Sequence, residues 1–183
     1  MTLYALQKHP DYLSKVLEEV HEIYNKEDPI SYDSLNKMNW LSAVLKETLR
    51  VYNPTAIGPL FRTASVDHKI GDIHVKKGSM IGTAAVFSSF DSAHFEDPAT
   101  FSPQRWLDNP VINDAYAYTP FWAGPRNCIG QHLATIQAKI IVCEFLKKFE
   151  FETVKDYQLK MDNLKAYGPP DDLPMMLRLK VNS

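Results

Sequence analysis

The most informative segment of the chain is residues 121–130, which read Phe121-Trp122-Ala123-Gly124-Pro125-Arg126-Asn127-Cys128-Ile129-Gly130. It holds two of the seven glycines in the chain. Cys128 precedes a predicted helix, and the free N–H groups and positive dipole at a helix start favour a thiolate over a thiol. Arg126 adds a nearby positive charge, while Gly124 and Gly130 leave room for a flat ligand against the backbone. The segment therefore predicts a ligand-binding loop centred on one cysteine.

The chemistry of a lone thiolate narrows the choice of ligand. A thiolate suits a soft metal, and an aromatic ring such as Phe121 could cover the other side of the site. His132 and Cys143 do not lie at zinc-finger spacing from Cys128, so the sequence does not favour a four-ligand zinc site. A single axial thiolate on haem iron needs only one protein ligand, which the sequence offers. The alternative is that Cys128 is an inert core residue, the commoner role of a lone cysteine.

The same ten residues resemble the haem-binding signature of the cytochrome P450 superfamily, Phe-x-x-Gly-x-Arg-x-Cys-x-Gly. The defined positions of that signature are all filled, by Phe121, Gly124, Arg126, Cys128 and Gly130. The resemblance implies that Cys128 is the proximal ligand of the iron of haem b and that Arg126 meets a haem propionate. It also implies that the other three residues belong to the cofactor-binding loop.

Two more motifs lie upstream, in the order that this family places them. Glu47-Thr48-Leu49-Arg50 resembles the family's Glu-x-x-Arg motif, and residues 101–106, Phe-Ser-Pro-Gln-Arg-Trp, resemble its aromatic-Pro-x-Arg-aromatic segment. The resemblance implies a buried triad of Glu47, Arg50 and Arg105 that holds the loop carrying the cysteine. Taken alone, Glu47 and Arg50 are interpreted as an exposed pair, because they lie roughly opposite the apolar face of their predicted helix.

Other polar residues carry weaker expectations. Arg62 follows Pro54 at about the distance where many family members place a second propionate-binding cation, and the alternative is an exposed strand arginine. Four histidines have no partner at ligand spacing and are expected at the surface or in loops: His68, His74, His94 and His132. Two positions depart from the common family pattern, since Gln137 stands where many members have glutamate and Ser89 where many have histidine.

Local patterns predict a mainly α chain with small β-hairpins, which is an α+β class. Residues 1–51 are predicted to form helices, one with Pro10 in its first turn and one from about Asn39 to Val51. Ser31 or Asp33 is a candidate cap for a short helix between them. The resemblance assigns residues 1–183 to one partial domain, the C-terminal part of the cytochrome P450 fold.

The second half of the chain alternates between strand, loop and helix signals. Between Ala56 and Phe87, short apolar runs separated by glycine-containing pairs predict strands and hairpins. Residues 88–120 are predicted to form a loop, because prolines recur along this segment. A long helix is predicted from just after Cys128 to near Phe149, and a last hairpin is predicted around residues 175–179, after Pro169-Pro170.

The amino-acid composition limits the classes of protein to which the chain can belong. The chain is 45% hydrophobic and 23% charged, which is enough apolar material for a packed core. Its net charge of −2 gives no support for a nucleic-acid partner. Two cysteines do not make a disulfide framework. The longest apolar runs are only a few residues, such as 140–143, so no membrane span is expected, because a span needs roughly 20 residues.

The resemblance implies a function as well as a fold. It implies a haem-thiolate monooxygenase segment, which in the complete domain inserts one atom of O2 into a small organic substrate with electrons from an NADPH-dependent flavoprotein reductase. Because the proton-delivery residues lie upstream in the family, no residue here is assigned a catalytic role. The alternatives are a truncated, inactive fragment that at most binds haem, and a helical interaction domain with coincidental motifs. The sequence specifies no compartment, and for a full-length parent the resemblance implies the cytoplasmic face of the endoplasmic reticulum membrane.

Overall fold

The computed structural model describes residues 1–26, 29–54, 60–83, 85–109, 114–154, 157 and 173–180. Within these residues the helices are α1 Thr2–Lys8, α2 Pro10–Tyr24, α3 Tyr32–Lys37, α4 Asn39–Val51, α5 Ala85–Ser89, α6 Arg105–Asp108 and α7 Gln131–Lys148. The strands are β1 Leu60–Thr63, β2 His68–Ile70, β3 Ile73–Val75, β4 Met80–Thr83, β5 Phe149–Thr153 and β6 Met175–Leu179. The predicted mainly helical chain with small antiparallel strand pairs is confirmed.

Local signals explain where the first helices begin. Pro10 occupies the first turn of α2, where its missing N–H costs no hydrogen bond. Ser31 caps α3, because its side-chain oxygen accepts the N–H of Ser34 at 3.2 Å. The N-cap residue of α4, Met38, makes no side-chain capping hydrogen bond. Instead, the carboxylate of Glu19 in α2 accepts hydrogen bonds from the N–H groups of Trp40 at 2.7 Å and Leu41 at 3.0 Å.

Five helices bury one apolar core. Its buried residues come from α1, α2, α3, α4 and α7 together with the segments beside them: Ala5, Leu6, Val16, Val20, Leu35, Met38, Leu41, Val44, Leu45, Phe101, Val142, Cys143 and Leu146. On α7, Cys143 and Leu146 face this core, whereas Leu133 and Ile140 are exposed. The core therefore packs α4 together with α2 and α7.

Two strand pairs form nested hairpins in the middle of the chain. Antiparallel β1 and β4 enclose the shorter hairpin of β2 and β3, in which Ile70 pairs with Ile73. Gly71 makes the turn between β2 and β3 with φ +56°, a conformation that glycine adopts without strain. The predicted hairpin turn at Gly71-Asp72 is thus confirmed, while Gly58-Pro59 lies outside the described residues.

Two short helices lie where strands, and then one long loop, were predicted. Residues 85–89 form α5, so Phe87 is helical and the strand prediction was wrong there. The carbonyl of Ser89, at the end of α5, accepts a hydrogen bond from Nη1 of Arg50 at 2.7 Å. Residues 105–108 form the single turn α6, which begins after Pro103. Both turns pack against α4, so long-range contacts that local patterns do not report stabilise them.

The end of the chain returns to the helical core. The helix predicted after Cys128 is α7, which ends at Lys148, as expected. β5 follows directly and pairs antiparallel with β6, with Phe149 opposite Leu179. A last hairpin was predicted around residues 175–179; these residues form β6, which pairs with β5, and Pro169-Pro170 lies outside the described residues. Among the described residues, no helix has both the length and the apolar content to span a bilayer.

Candidate cofactor-binding loop and the ion-pair cluster behind it

Backbone hydrogen bonds close residues 121–128 into a compact loop. The N–H of Cys128 donates to the carbonyl of Phe121 at 2.9 Å, which brings the two ends together. The N–H of Asn127 donates to the carbonyl of Gly124 at 3.1 Å, so residues 124–127 form a turn with Pro125 at the position that proline favours. Gly124 has φ +80°, which side-chain-bearing residues adopt only with strain.

The loop presents the Cys128 side chain at the start of α7. Cys128 is exposed and stands three residues before Gln131, where α7 begins. A Cβ on Gly130 would lie 3.8 Å from the Cys128 sulfur, so even the smallest side chain there would contact the sulfur. Cys143 is fully buried in the core, and burial raises the pKa of its thiol to about 12. Of the two cysteines, Cys128 alone offers a sulfur that an external ligand can reach.

Two exposed arginines, one in this loop and one in strand β1, lack acidic partners among the described residues. Arg126 lies in the turn of the loop, and Arg62 lies in β1, where one of its guanidinium nitrogens donates to the carbonyl of Phe61 at 3.1 Å. No acidic side chain in the described part of the chain forms an ion pair with Arg62 or Arg126. The structure does not bring either guanidinium into contact with the Cys128 sulfur. Both therefore remain available to an anionic group.

The donor set fits a cofactor that takes one protein ligand. No three His, Cys, Asp or Glu side chains are grouped to hold a metal ion in the ranges that the structure describes. The apolar side chains of Ile129 and Leu133, which follow Cys128, are exposed, and Phe121 is half-buried. One accessible sulfur, exposed apolar side chains and unpaired arginines suit a flat, largely apolar group with acidic edges, such as haem.

Behind the loop lies a buried cluster centred on Glu47. The side chains of Glu47 and Arg50 in α4 are fully buried. Nε and Nη2 of Arg50 donate to the two carboxylate oxygens at 2.9 and 2.8 Å, and Nε of Arg105 donates at 3.2 Å. The structure thus brings together the three residues of the expected triad. The alternative interpretation of Glu47 and Arg50 as an exposed pair was wrong, because α4 is covered on this side by the segment from α5 to α6.

Two further donors on Glu47 were not foreseen. The backbone N–H of Ser102 donates to Oε1 at 2.8 Å, and the indole Nε1 of Trp106 donates to Oε2 at 2.9 Å. With the arginine contacts, five hydrogen bonds satisfy the buried carboxylate. The only sequence signal for this role of Trp106 is its indole N–H at an aromatic motif position, which needs a partner when buried.

The arginines of the cluster also bind backbone carbonyls of the covering segment. Arg50 donates to the carbonyls of Ser89, Pro98 and Thr100 at 2.7, 2.7 and 3.1 Å. Arg105 donates to the carbonyl of Glu96 at 2.8 Å. An arginine fork supplies several fixed donors, so these contacts hold an irregular segment in one conformation.

Contacts from α4 continue to the residues that precede the ligand loop. The Asn53 side chain donates to the carbonyl of Pro120 at 3.3 Å. The Tyr118 hydroxyl donates to the carbonyl of Lys46 at 3.0 Å, and its ring packs on Trp106 with centroids 4.5 Å apart. Burial, and then the Glu47 charge, raise the pKa of Tyr118, so the hydroxyl keeps its proton and stays a donor. The cluster is therefore joined to the start of the loop.

The remaining polar positions lie away from this centre. His74, His94 and His132 are exposed, as expected. His68 is half-buried, and its Nδ1 lies 3.1 Å from the carbonyl of Val66. Gln137 is exposed on α7, whereas Ser89 is buried and supplies the carbonyl described above.

Comparison with known proteins agrees with these features. The family model described as cytochrome P450 matches residues 1–172. Human cytochrome P450 3A5 is 34% identical over 180 residues, which cover 97% of this chain and 35% of that protein. Cytokinin hydroxylase of Arabidopsis thaliana is 37% identical over 159 residues, covering 86% of this chain and 30% of that protein. Cytochrome P450 4c21 of Blattella germanica is 33% identical over 176 residues, which cover 93% of this chain and 35% of that protein.

The chain spans about a third of the length of the curated relatives it matches. The match nevertheless runs through nearly all of the chain, including the ligand loop and the three residues of the buried cluster. The chain belongs to the cytochrome P450 family.

Proposed function

We propose that this chain is the haem-ligating part of a haem-thiolate monooxygenase, with Cys128 as the proximal ligand of haem b. The observation that carries the proposal is the closed loop of residues 121–128, which leaves the Cys128 sulfur exposed near the N-terminus of α7. The N–H of Cys128 is held by the carbonyl of Phe121 at 2.9 Å, so the loop is preorganised to orient the sulfur.

The surrounding residues have distinct roles in this proposal. Arg126 and Arg62 bind the haem propionates, because both guanidinium groups are exposed and free of acidic partners among the described residues. Phe121 packs beside the sulfur, and Gly124 permits the tight turn that holds it. Gly130 keeps the space next to the sulfur free of a side chain.

Glu47, Arg50 and Arg105 are positioning residues in this proposal. They do not touch the ligand; their hydrogen bonds hold the covering segment and, through Trp106 and Tyr118, the residues leading into the loop. A buried and fully hydrogen-bonded carboxylate is a rigid anchor, since breaking any one contact leaves a buried charge unpaired.

When bound, haem iron with a thiolate ligand activates O2 so that one oxygen atom enters an organic substrate. The residues of this chain contribute the sulfur donor, the cations for the acidic edge and the scaffold that fixes both. The proposal places the substrate as a small organic molecule and the electron donor as an NADPH-dependent flavoprotein reductase. Family membership supports both, and it supports the endoplasmic reticulum membrane for a full-length parent.

The ferrous–carbon monoxide spectrum of the haem-reconstituted chain tests the ligand. We expect the red-shifted band of thiolate ligation in the wild type and in Cys143→Ala, and its loss in Cys128→Ala. Cys143→Ala is the matched control, because it removes the other cysteine without changing the loop. A red-shifted band that survives in Cys128→Ala contradicts the assignment.

The alternative is a fragment that at most binds haem and catalyses nothing, and the partial coverage of the relatives favours this for the 183-residue chain in isolation. Incubating the haem-loaded chain with reductase, NADPH and a panel of organic substrates distinguishes the two. Oxygenated product that depends on Cys128 would reject the alternative. Haem binding without product would restrict activity to a longer parent.

A further inference from the structure

A cavity of about 430 Å³ lies where α3, α4 and α7 meet the segment before the ligand loop. Its volume is within the range of about 300–1,000 Å³ that small-molecule sites occupy. The apolar part of its lining includes Leu35, Leu45, Leu49, Phe121 and Ile136. Cys128, Arg126 and Arg62 do not line it, whereas Phe121, at the start of the proposed haem loop, does.

The charged residues of this cavity all carry basic side chains. Lys139 is buried, Lys46 is exposed at the opening, and His132 is also exposed. No aspartate or glutamate is among the lining residues. The cavity thus combines an apolar wall with cationic groups, which is the combination that an amphipathic anion requires.

Lys139 is only partly satisfied by the protein. Its Nζ donates to the carbonyl of Leu35 at 2.8 Å, and an ammonium group has three donors. No acidic side chain in the described part of the chain forms an ion pair with it. A buried ammonium group that lacks an ion pair is costly, so an anion placed in the cavity would gain from meeting it.

The electrostatic surroundings of Lys139 agree with this geometry. Burial lowers the pKa of Lys139, and the charge of Lys46 acts in the same direction, while Cys143 and Glu19 oppose it. The Glu19 carboxylate already accepts two backbone N–H groups, at 2.7 and 3.0 Å. An anion in the cavity would be attracted by both ammonium groups.

We propose that this cavity binds a small organic anion with an apolar body, such as a medium-chain carboxylate. The carboxylate meets Lys139 at the base and Lys46 at the opening, and the hydrocarbon chain lies against the apolar wall. The site goes beyond the proposed function: it does not use Cys128, Arg126 or Arg62, although it shares Phe121 with the proposed haem loop.

Isothermal titration of the haem-free chain with decanoate, decanol and acetate, each below its aggregation concentration, tests the proposal. We expect saturable, equimolar binding of decanoate, and at least tenfold weaker binding of decanol and of acetate, because each of these probes lacks either the charge or the apolar body. Equal affinity for decanol, or no binding of decanoate to the folded chain, overturns it.

Variants locate the site. We expect Lys139→Met to weaken decanoate binding about tenfold or more and Lys46→Met to weaken it by a smaller factor. Lys37→Met is the matched control, because Lys37 is exposed on α3 but does not line the cavity. Far-ultraviolet circular dichroism checks folding, and if Lys139→Met does not fold, Lys46→Met decides. Unchanged affinity in Lys46→Met, or an equal loss in Lys37→Met, contradicts the proposed site.

Discussion

The backbone at Gly124 shows how one residue shapes the ligand loop. Its φ of +80° lies in the region that favours glycine, and no other heavy atom lies within 4 Å of where a Cβ would stand. Space is therefore not what limits substitution; the backbone conformation is. A residue that tolerates positive φ should be accepted better than a β-branched residue that does not.

Substitutions at Gly124 test this distinction. We expect Gly124→Val to lower the free energy of unfolding by about 1–2 kcal/mol, because valine pays the cost of a left-handed conformation. Gly124→Asn should cost clearly less, since asparagine adopts that conformation more readily. Urea unfolding followed by circular dichroism measures both. Equal losses would show that something other than φ limits this position.

At the scale of elements, α4 depends on its neighbours at both ends. Its N-terminus is capped from α2 by Glu19, and its C-terminal half carries Glu47 and Arg50, which bind the segment from α5 to α6. The helix therefore transmits the packing of the core to the residues that precede the ligand loop.

Removing the inter-helix cap should destabilise α4. We expect Glu19→Ala to lower the free energy of unfolding by about 0.5–2 kcal/mol, the usual cost of losing a side chain that caps a helix N-terminus. The control is Glu18→Ala, because Glu18 is the adjacent, exposed residue of α2. Thermal unfolding of the two variants makes the comparison. Similar losses would mean that the hydrogen bonds to Trp40 and Leu41 contribute little.

Removing the centre of the buried cluster should have a larger effect. We expect Glu47→Ala to cost about 3–5 kcal/mol, because two arginines and an indole lose their acceptor in a buried site. The control, Glu22→Ala, breaks the exposed pair with Lys26 and should cost far less, because solvent screens a surface pair. Chemical unfolding measures both values. A loss at Glu47 no larger than at Glu22 would contradict the rigid-anchor role.

At the scale of the whole molecule, the packing gives the two cysteines opposite environments. Cys143 is fully buried in the core between α4 and α7, with its thiol hydrogen-bonded to the Met38 sulfur at 3.5 Å. Cys128 stands at the surface where α7 begins. Helix α7 therefore carries Cys143 in the core, while Cys128, just before the helix, is accessible to a ligand.

Thiol titration with a disulfide reagent should separate the two cysteines. We expect one equivalent to react rapidly in the native haem-free chain and the second only after denaturation, because burial raises the pKa of Cys143 to about 12. Cys128→Ala should remove the rapid phase and leave the slow one. Two rapid equivalents in the folded chain would contradict the packing of α7 against the core.

Much of the fold followed from local patterns. The bounds of α4, the proline start of α2 and the serine cap of α3 depend on residues within a turn of each helix end, which is the range that such patterns cover. The short helices α5 and α6 did not follow, because their stabilising contacts come from α4, far away in the sequence. The hydrogen bond from Trp106 to Glu47 was missed for the same reason.

The sequence by itself was sufficient to predict a loop around Cys128 and to identify the family and the main helices, since spacing, glycines and prolines act on their immediate neighbours. Only the tertiary structure showed that Glu47 and Arg50 are buried and that Lys139 meets a cavity. The partners of Arg50 and Glu47 lie 39 and 58 residues away, beyond the reach of any helical periodicity. Burial is a property of the packed chain. The side of α4 that was interpreted as exposed is therefore the side that carries the buried cluster.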